Sequence, residues 1–122
     1  MLVRQLGRQR DALLARIQPT TRYEDLQGCD LVVEAVVERL DIKQSLFAEL
    51  EAIVSPEAIL ATNTSSLSVT AIAAKLRRPH LFAGYHFFNP VPLMKVVEVI
   101  SGLKTSPDVC DRLFAYAGEI GH

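Results

Sequence analysis

Apolar positions along this chain change period several times, and each change marks an element. Leu2, Val3, Leu6, Leu13, Leu14 and Ile17 recur at helical spacing, with arginines mostly between them. That spacing predicts a helix to about residue 16. Residues 17–30 hold Pro19, a threonine pair, Gly28 and Asp30, and read as a short extended piece followed by a turn. Residues 31–36 form a β-branched run, the composition of a strand covered on both faces. Asp41 then stands where its carboxylate can cap a helix, and Leu46, Phe47, Leu50, Ile53 and Val54 fall on one helical face. Ser55-Pro56 ends that helix.

The second half repeats the alternation. Residues 58–62 are the next strand, and Asn63-Thr64-Ser65-Ser66 is a polar, turn-forming stretch. Residues 67–76 read as a helix, with Val69, Ile72, Ala73 and Leu76 on one side and Pro79 as its stop. Residues 81–88 are a third apolar strand. Asn89-Pro90-Val91-Pro92 is a stiff loop, because each proline fixes φ and removes a donor. Residues 95–100 are a fourth strand. Ser106-Pro107-Asp108 opens a last helix, with Pro in its first turn and Gly121 as its C-terminal stop. Short buried strands alternating with helices predict an α/β fold with right-handed crossovers and a mostly parallel sheet flanked by helices. No repeat or linker divides the chain, so residues 1–122 read as one domain.

Composition narrows the function classes. At 122 residues, 49% hydrophobic and 22% charged, the chain can bury a core like an ordinary globular domain. A net charge of −1 with both signs dispersed argues against nucleic acid or an acidic membrane, which need a clustered basic face. No run reaches the ~18 apolar residues of a membrane helix. Cys29 and Cys110 are far apart, with no CxxC or Cys/His cluster to hold a metal. They read as reduced, buried thiols of a cytoplasmic protein. The arginine-containing N-terminus leaves a transit peptide as an alternative reading.

Candidate chemistry gathers where strands end. In an open parallel sheet, ligands collect beyond the carboxyl ends of the strands. Three segments place polar residues there: Val37-Glu38, Asn63-Thr64-Ser65-Ser66 and His86-Phe87-Phe88-Asn89-Pro90. Taken singly, the Ser/Asn cluster can be a helix cap and the histidine a hydrogen-bonded core residue. Together they point to a site. Glu98 interrupts the apolar run Val96-Val97-Glu98-Val99-Ile100, and a carboxylate among valines is costly without a partner. Either it faces water from an edge strand, or it pairs with His86 across the proline loop. Such a pair fixes the imidazole tautomer and makes an acid–base dyad.

Residues 30–38, the string Ala61-Thr62-Asn63-Thr64-Ser65-Ser66-Leu67 and the unbroken stretch from Gly84 to Ile100 carry a resemblance. The sequence resembles the L-3-hydroxyacyl-CoA dehydrogenase family over essentially its whole length. The resemblance implies a partial Rossmann-like domain, NAD as cofactor, and reversible oxidation of a (3S)-hydroxyacyl-CoA to a 3-oxoacyl-CoA. It implies His86 as catalytic base, Glu98 as its orienting carboxylate, and Ser65 as a hydrogen-bond donor to the substrate oxygen. Asn89 would hold the reacting end of the substrate. Ala35, Glu38, Lys43 and Asn63 would contact the dinucleotide, although Lys43 also reads as a solvated residue on its helix.

Thr62 and Tyr85 depart from the family pattern in tolerable ways. Among Gly7, Gly28, Gly84, Gly102, Gly118 and Gly121 there is no Gly-x-Gly-x-x-Gly turn, the usual pyrophosphate cradle. The expectation is therefore a fragment, with the first strands and the helical C-terminal domain missing, inactive alone and paired with further copies through an open sheet edge. The rival expectations are a non-catalytic association module and a different Rossmann dehydrogenase acting on a simple hydroxy acid.

Overall fold

A computed structural model describes residues 2–122, with side chains from residue 7 onward, so Leu2, Val3 and Leu6 of the first predicted helical face lie outside the described side chains. The helices are α1 (Leu2–Leu14), α2 (Leu40–Ile53), α3 (Val69–Ala73) and α4 (Pro107–Glu119). The strands are β1 (Leu31–Glu34), β2 (Ile59–Thr62), β3 (Phe82–Phe87) and β4 (Val97–Ile100). They form one sheet in the order β1-β2-β3-β4. β1, β2 and β3 run parallel, and β4 returns antiparallel to β3. The α/β architecture and mostly parallel sheet expected from the sequence are present.

Strand alternation sorts the core into two layers. Leu60 and Phe82 point to the face covered by α2 and α3, where Phe47, Leu50, Val69 and Ile72 are buried with them. Ile59, Ala61, Ala83 and Tyr85 point to the other face and pack on Val109, Leu113 and Ala117 of α4. Gly84 lies on the α3 face, where a Cβ would stand 2.9 Å from Ile100 Cβ and 3.0 Å from a Val69 methyl. Only glycine lets β4 and α3 approach so closely there. Tyr85 donates its hydroxyl hydrogen bond to Leu113 O at 2.9 Å, which ties the sheet to α4 and explains why this departure is tolerated.

Local hydrogen bonds revise several predicted boundaries. The segment after α1 contains a one-turn 3-10 helix, Tyr23–Leu26, where only extended chain and turn were expected. Asp41 is not the cap of α2. It lies in the first turn and pairs with Arg39 at 2.9 Å, because the helix begins earlier, at the Lys43 N to Arg39 O bond. Helix α3 spans five residues rather than ten: the Thr64 hydroxyl takes the Leu67 N–H, and Ser68 caps the helix by accepting from Ala71 N. Beyond it, the Glu51 carboxylate accepts from the Arg77 and Arg78 amides, each at 2.8 Å. Ser106 and Pro107 open α4 as expected, but the serine side chain makes no capping bond. Gly121, at φ +88°, closes α4 with the His122 N to Ala117 O bond, as a left-handed glycine stop does. Both cysteines are free and half-buried rather than buried.

Candidate active site

His86 and Glu98 face each other directly across the antiparallel β3–β4 ladder. Two-residue alternation puts both on the α3 face, past the end of the close-packed Gly84. His86 Nδ1 lies 3.2 Å from Glu98 Oε1, with the imidazole 18% exposed and the carboxylate 55% exposed. Both sequence readings of Glu98 therefore hold at once: it faces water from an edge strand, and it pairs with His86. The bond to Glu98 engages Nδ1–H, so Nε2 of the neutral ring carries the lone pair. Phe88 packs on the imidazole, ring centroids 4.6 Å apart.

The other predicted residues surround this pair unequally. Ser65 is exposed in the loop leaving β2, with its hydroxyl unpaired among the described residues. Asn89 is exposed just past β3. Asn63 is half-buried and works across the sheet. Its backbone N–H donates to Glu34 O and its Oδ1 accepts from Phe87 N, each at 2.8 Å. It thereby ties the end of β2 to the end of β3 beside His86.

A polar network fills the carboxyl ends of β1 and β2. Lys43, on α2, is 0% exposed; its Nζ donates to Glu34, pairs with Glu38 Oε1 at 3.1 Å and lies 3.3 Å from Val36 O. The solvated alternative for Lys43 is thus excluded. Its three donors are all committed within the protein. Glu38 stays 44% exposed and accepts from the Thr64 hydroxyl at 2.6 Å and the Ser66 hydroxyl at 3.0 Å. Chiefly the Thr64 hydrogen bond, with help from Lys43 and Ser66 and against its partial burial, holds the Glu38 carboxyl below the ordinary glutamate value. Ala35 is exposed between Glu34 and Val36, with only a methyl to obstruct a ligand.

Four members of this network were given no role from sequence: Glu34, Thr62, Thr64 and Ser66. Glu34 accepts from Thr62 Oγ1 at 2.6 Å and from Val36 N at 3.0 Å, in addition to Lys43. The signal for it was present, since a carboxylate inside an apolar strand is the same anomaly that exposed Glu98. The edge fits the ribose and nicotinamide side of a dinucleotide: an acceptor carboxylate at Glu38, an open backbone at Ala35 and a free hydroxyl at Ser65. It holds no glycine turn for the pyrophosphate.

Known proteins are similar to this chain in sequence and in fold. The family described as 3-hydroxyacyl-CoA dehydrogenase, NAD binding domain, matches residues 3–122. A 3-hydroxyadipyl-CoA dehydrogenase of Escherichia coli (strain K12) is 51% identical over 100 residues, 82% of this chain and 21% of that protein. A 3-hydroxybutyryl-CoA dehydrogenase of Clostridioides difficile is 49% identical over 108 residues, 88% of this chain and 38% of that protein. The crystal structure of a 3-hydroxybutyryl-CoA dehydrogenase from Escherichia coli K12 superposes with a TM-score of 0.87 at 48% identity, covering 88% of this chain and 23% of that one. The chain thus spans well under half the length of these relatives.

Proposed function

The chain belongs to the 3-hydroxyacyl-CoA dehydrogenase family, and from that premise we propose that it forms the catalytic edge of an enzyme that reversibly oxidises (3S)-hydroxyacyl-CoA to 3-oxoacyl-CoA, in fatty-acid β-oxidation or a related acyl-CoA pathway. The observation that carries this reading is the His86–Glu98 pair at 3.2 Å. NAD, when bound, supplies the hydride acceptor. His86 Nε2 takes the proton of the 3-hydroxyl as the carbonyl forms. The Glu98 carboxylate stabilises the imidazolium that results and holds the ring in place. Ser65 donates a hydrogen bond to the substrate oxygen, which steadies its negative charge as the proton leaves. Asn89 holds the reacting end of the acyl group. Glu38 receives the cofactor's ribose hydroxyls, with Ala35, Asn63 and Lys43 shaping the same edge.

The test exchanges this chain for the matching segment of the Clostridioides difficile relative and follows NADH oxidation by acetoacetyl-CoA. Turnover is expected, and His86→Gln should lower kcat by about 10²–10⁴. A folded exchange protein without turnover would sink the proposal.

Assembly belongs to the same reading. β1 pairs only with β2 among the described residues, and Val33, Val36 and Val37 around it are exposed, as are Leu13 and Leu14 of α1. An open strand edge with apolar neighbours recruits further chains, so the polypeptide self-associates as a homo-oligomer. No helix among the described residues is long and apolar enough to cross a membrane. Both reactants are water-soluble, and the proposal places the reaction in the cytoplasm.

A further inference from the structure

We infer that Glu34 is a positioning residue for the cofactor edge, acting through Lys43 and the backbone of Val36. The inference rests on the functional reading above. Glu34 is the last residue of β1, and its side chain is 1% exposed. Yet its two oxygens bind three separate pieces of that edge. Oε1 accepts from Lys43 Nζ and from Val36 N, and Oε2 accepts from Thr62 Oγ1 at the end of β2.

The consequence is a fixed loop. Val36 N is held by Glu34 and Val36 O faces Lys43 Nζ, so both sides of that residue are clamped. This clamp bends the chain out of the strand at Ala35 and presents residues 35–38 to the ligand edge. Lys43, kept in place by Glu34, then bonds Glu38, and Glu38 holds Thr64 and Ser66 on either side of Ser65. A buried carboxylate–ammonium pair is a poor source of stability, because desolvating both charges offsets their attraction. Packing alone would be served by apolar residues of the same size. Ion-pair geometry at this position instead specifies where the loop and Glu38 stand.

The rival is that Lys43 touches the cofactor itself and Glu34 only neutralises it. The two differ in a double-mutant cycle on the exchange protein described above, measured as kcat and KM for NADH. If Glu34 positions the edge, Glu34→Gln raises the NADH KM roughly tenfold, the loss of one charged hydrogen bond, with a smaller change in kcat. Lys43→Met does the same, and the double variant is no worse than either single. An unchanged or lower NADH KM in Glu34→Gln, as expected when a freed Lys43 reaches the cofactor, overturns the inference.

A second measurement uses the 122-residue chain and needs no turnover. In amide NMR spectra, Glu34→Gln should shift Val36, Glu38, Thr64 and Ser66 and leave Val109 and Leu113 of α4 in place. Shifts confined to residues 33–35 and 43 refute the clamp. An exchange protein that is inactive with Glu34 intact counts against the functional reading, and the amide spectra then decide the clamp by themselves.

Discussion

Glu38 keeps its charge because two hydroxyls and an ammonium point at it, the Thr64 hydroxyl foremost. A carboxyl whose folded pKa is lowered adds stability above the ordinary glutamate range, and loses it as pH falls through that range to the folded value. Thr64→Val should therefore raise the Glu38 midpoint toward the ordinary value, read by carboxyl-carbon NMR, and flatten the acid side of the stability curve. The energy involved is small, a fraction of 1 kcal/mol, since nearly half of the side chain meets water. An unmoved midpoint would show that Lys43 and Ser66 set the charge without Thr64. The same residue scale shows what the sequence could reveal. Glu98 and Glu34 both interrupt valine-rich runs, and that anomaly marks a buried or paired carboxylate in each case. It does not give the partner. For Glu98 a histidine across a proline loop was an obvious one. For Glu34 the partner comes from α2, and no spacing rule predicts that Lys43 turns inward rather than to solvent.

Elements were legible where hydrophobic period alone decides them. All four strands and α2, α3 and α4 fall where alternation and helical spacing put them, because their faces meet a core on one side or both; α1 also falls where its spacing put it, with Leu13 and Leu14 exposed. Boundaries were not legible where side-chain hydroxyls and carboxylates compete for backbone groups. Thr64, Ser68 and Glu51 trim the helix predicted for residues 67–76 to five residues, and Glu34 ends β1 two residues early by taking Val36 N. Packing between elements yields a sharper expectation. Gly84→Ala forces a methyl within 2.9 Å of Ile100 Cβ and 3.0 Å of Val69, neither of them the end of a flexible chain. It should cost about 1–3 kcal/mol in chemical denaturation and loosen β3 against β4, the ladder that aligns His86 with Glu98. Tyr85→Phe should cost about 1 kcal/mol, since Leu113 O loses a bond whose donor is buried with it. A Gly84→Ala protein of unchanged stability would mean that α3 yields freely, contrary to its buried contacts.

At the scale of the whole molecule, the His86–Glu98 pair sits on the same sheet edge as the Glu34–Lys43–Glu38 network. Among the described residues β1 pairs only with β2, and exposed Val33 lies on it with exposed Val36 and Val37 just past its end, so light scattering at tens of micromolar should find oligomers of the 122-residue polypeptide; a monodisperse monomer would contradict the edge argument. Cofactor affinity follows from the same geometry. In this fold, dinucleotide affinity rests largely on the pyrophosphate meeting a glycine turn at a helix N-terminus, and this sequence holds no such turn. What remains is Glu38, with Ala35 and Asn63 beside it. Lys43 is committed to Glu34, Glu38 and Val36 O, and the Asn63 oxygen is committed to Phe87 N. The few hydrogen bonds left to offer contribute roughly 1 kcal/mol each, against a cost of several kcal/mol for immobilising a flexible ligand. The isolated chain should therefore bind NADH no better than about millimolar and show no measurable turnover. Titration calorimetry with NADH checks it directly: a micromolar dissociation constant for the 122-residue chain would mean that the pyrophosphate finds donors elsewhere, and that the edge built by Glu34, Lys43 and Glu38 contributes far more than its free hydrogen-bonding groups imply.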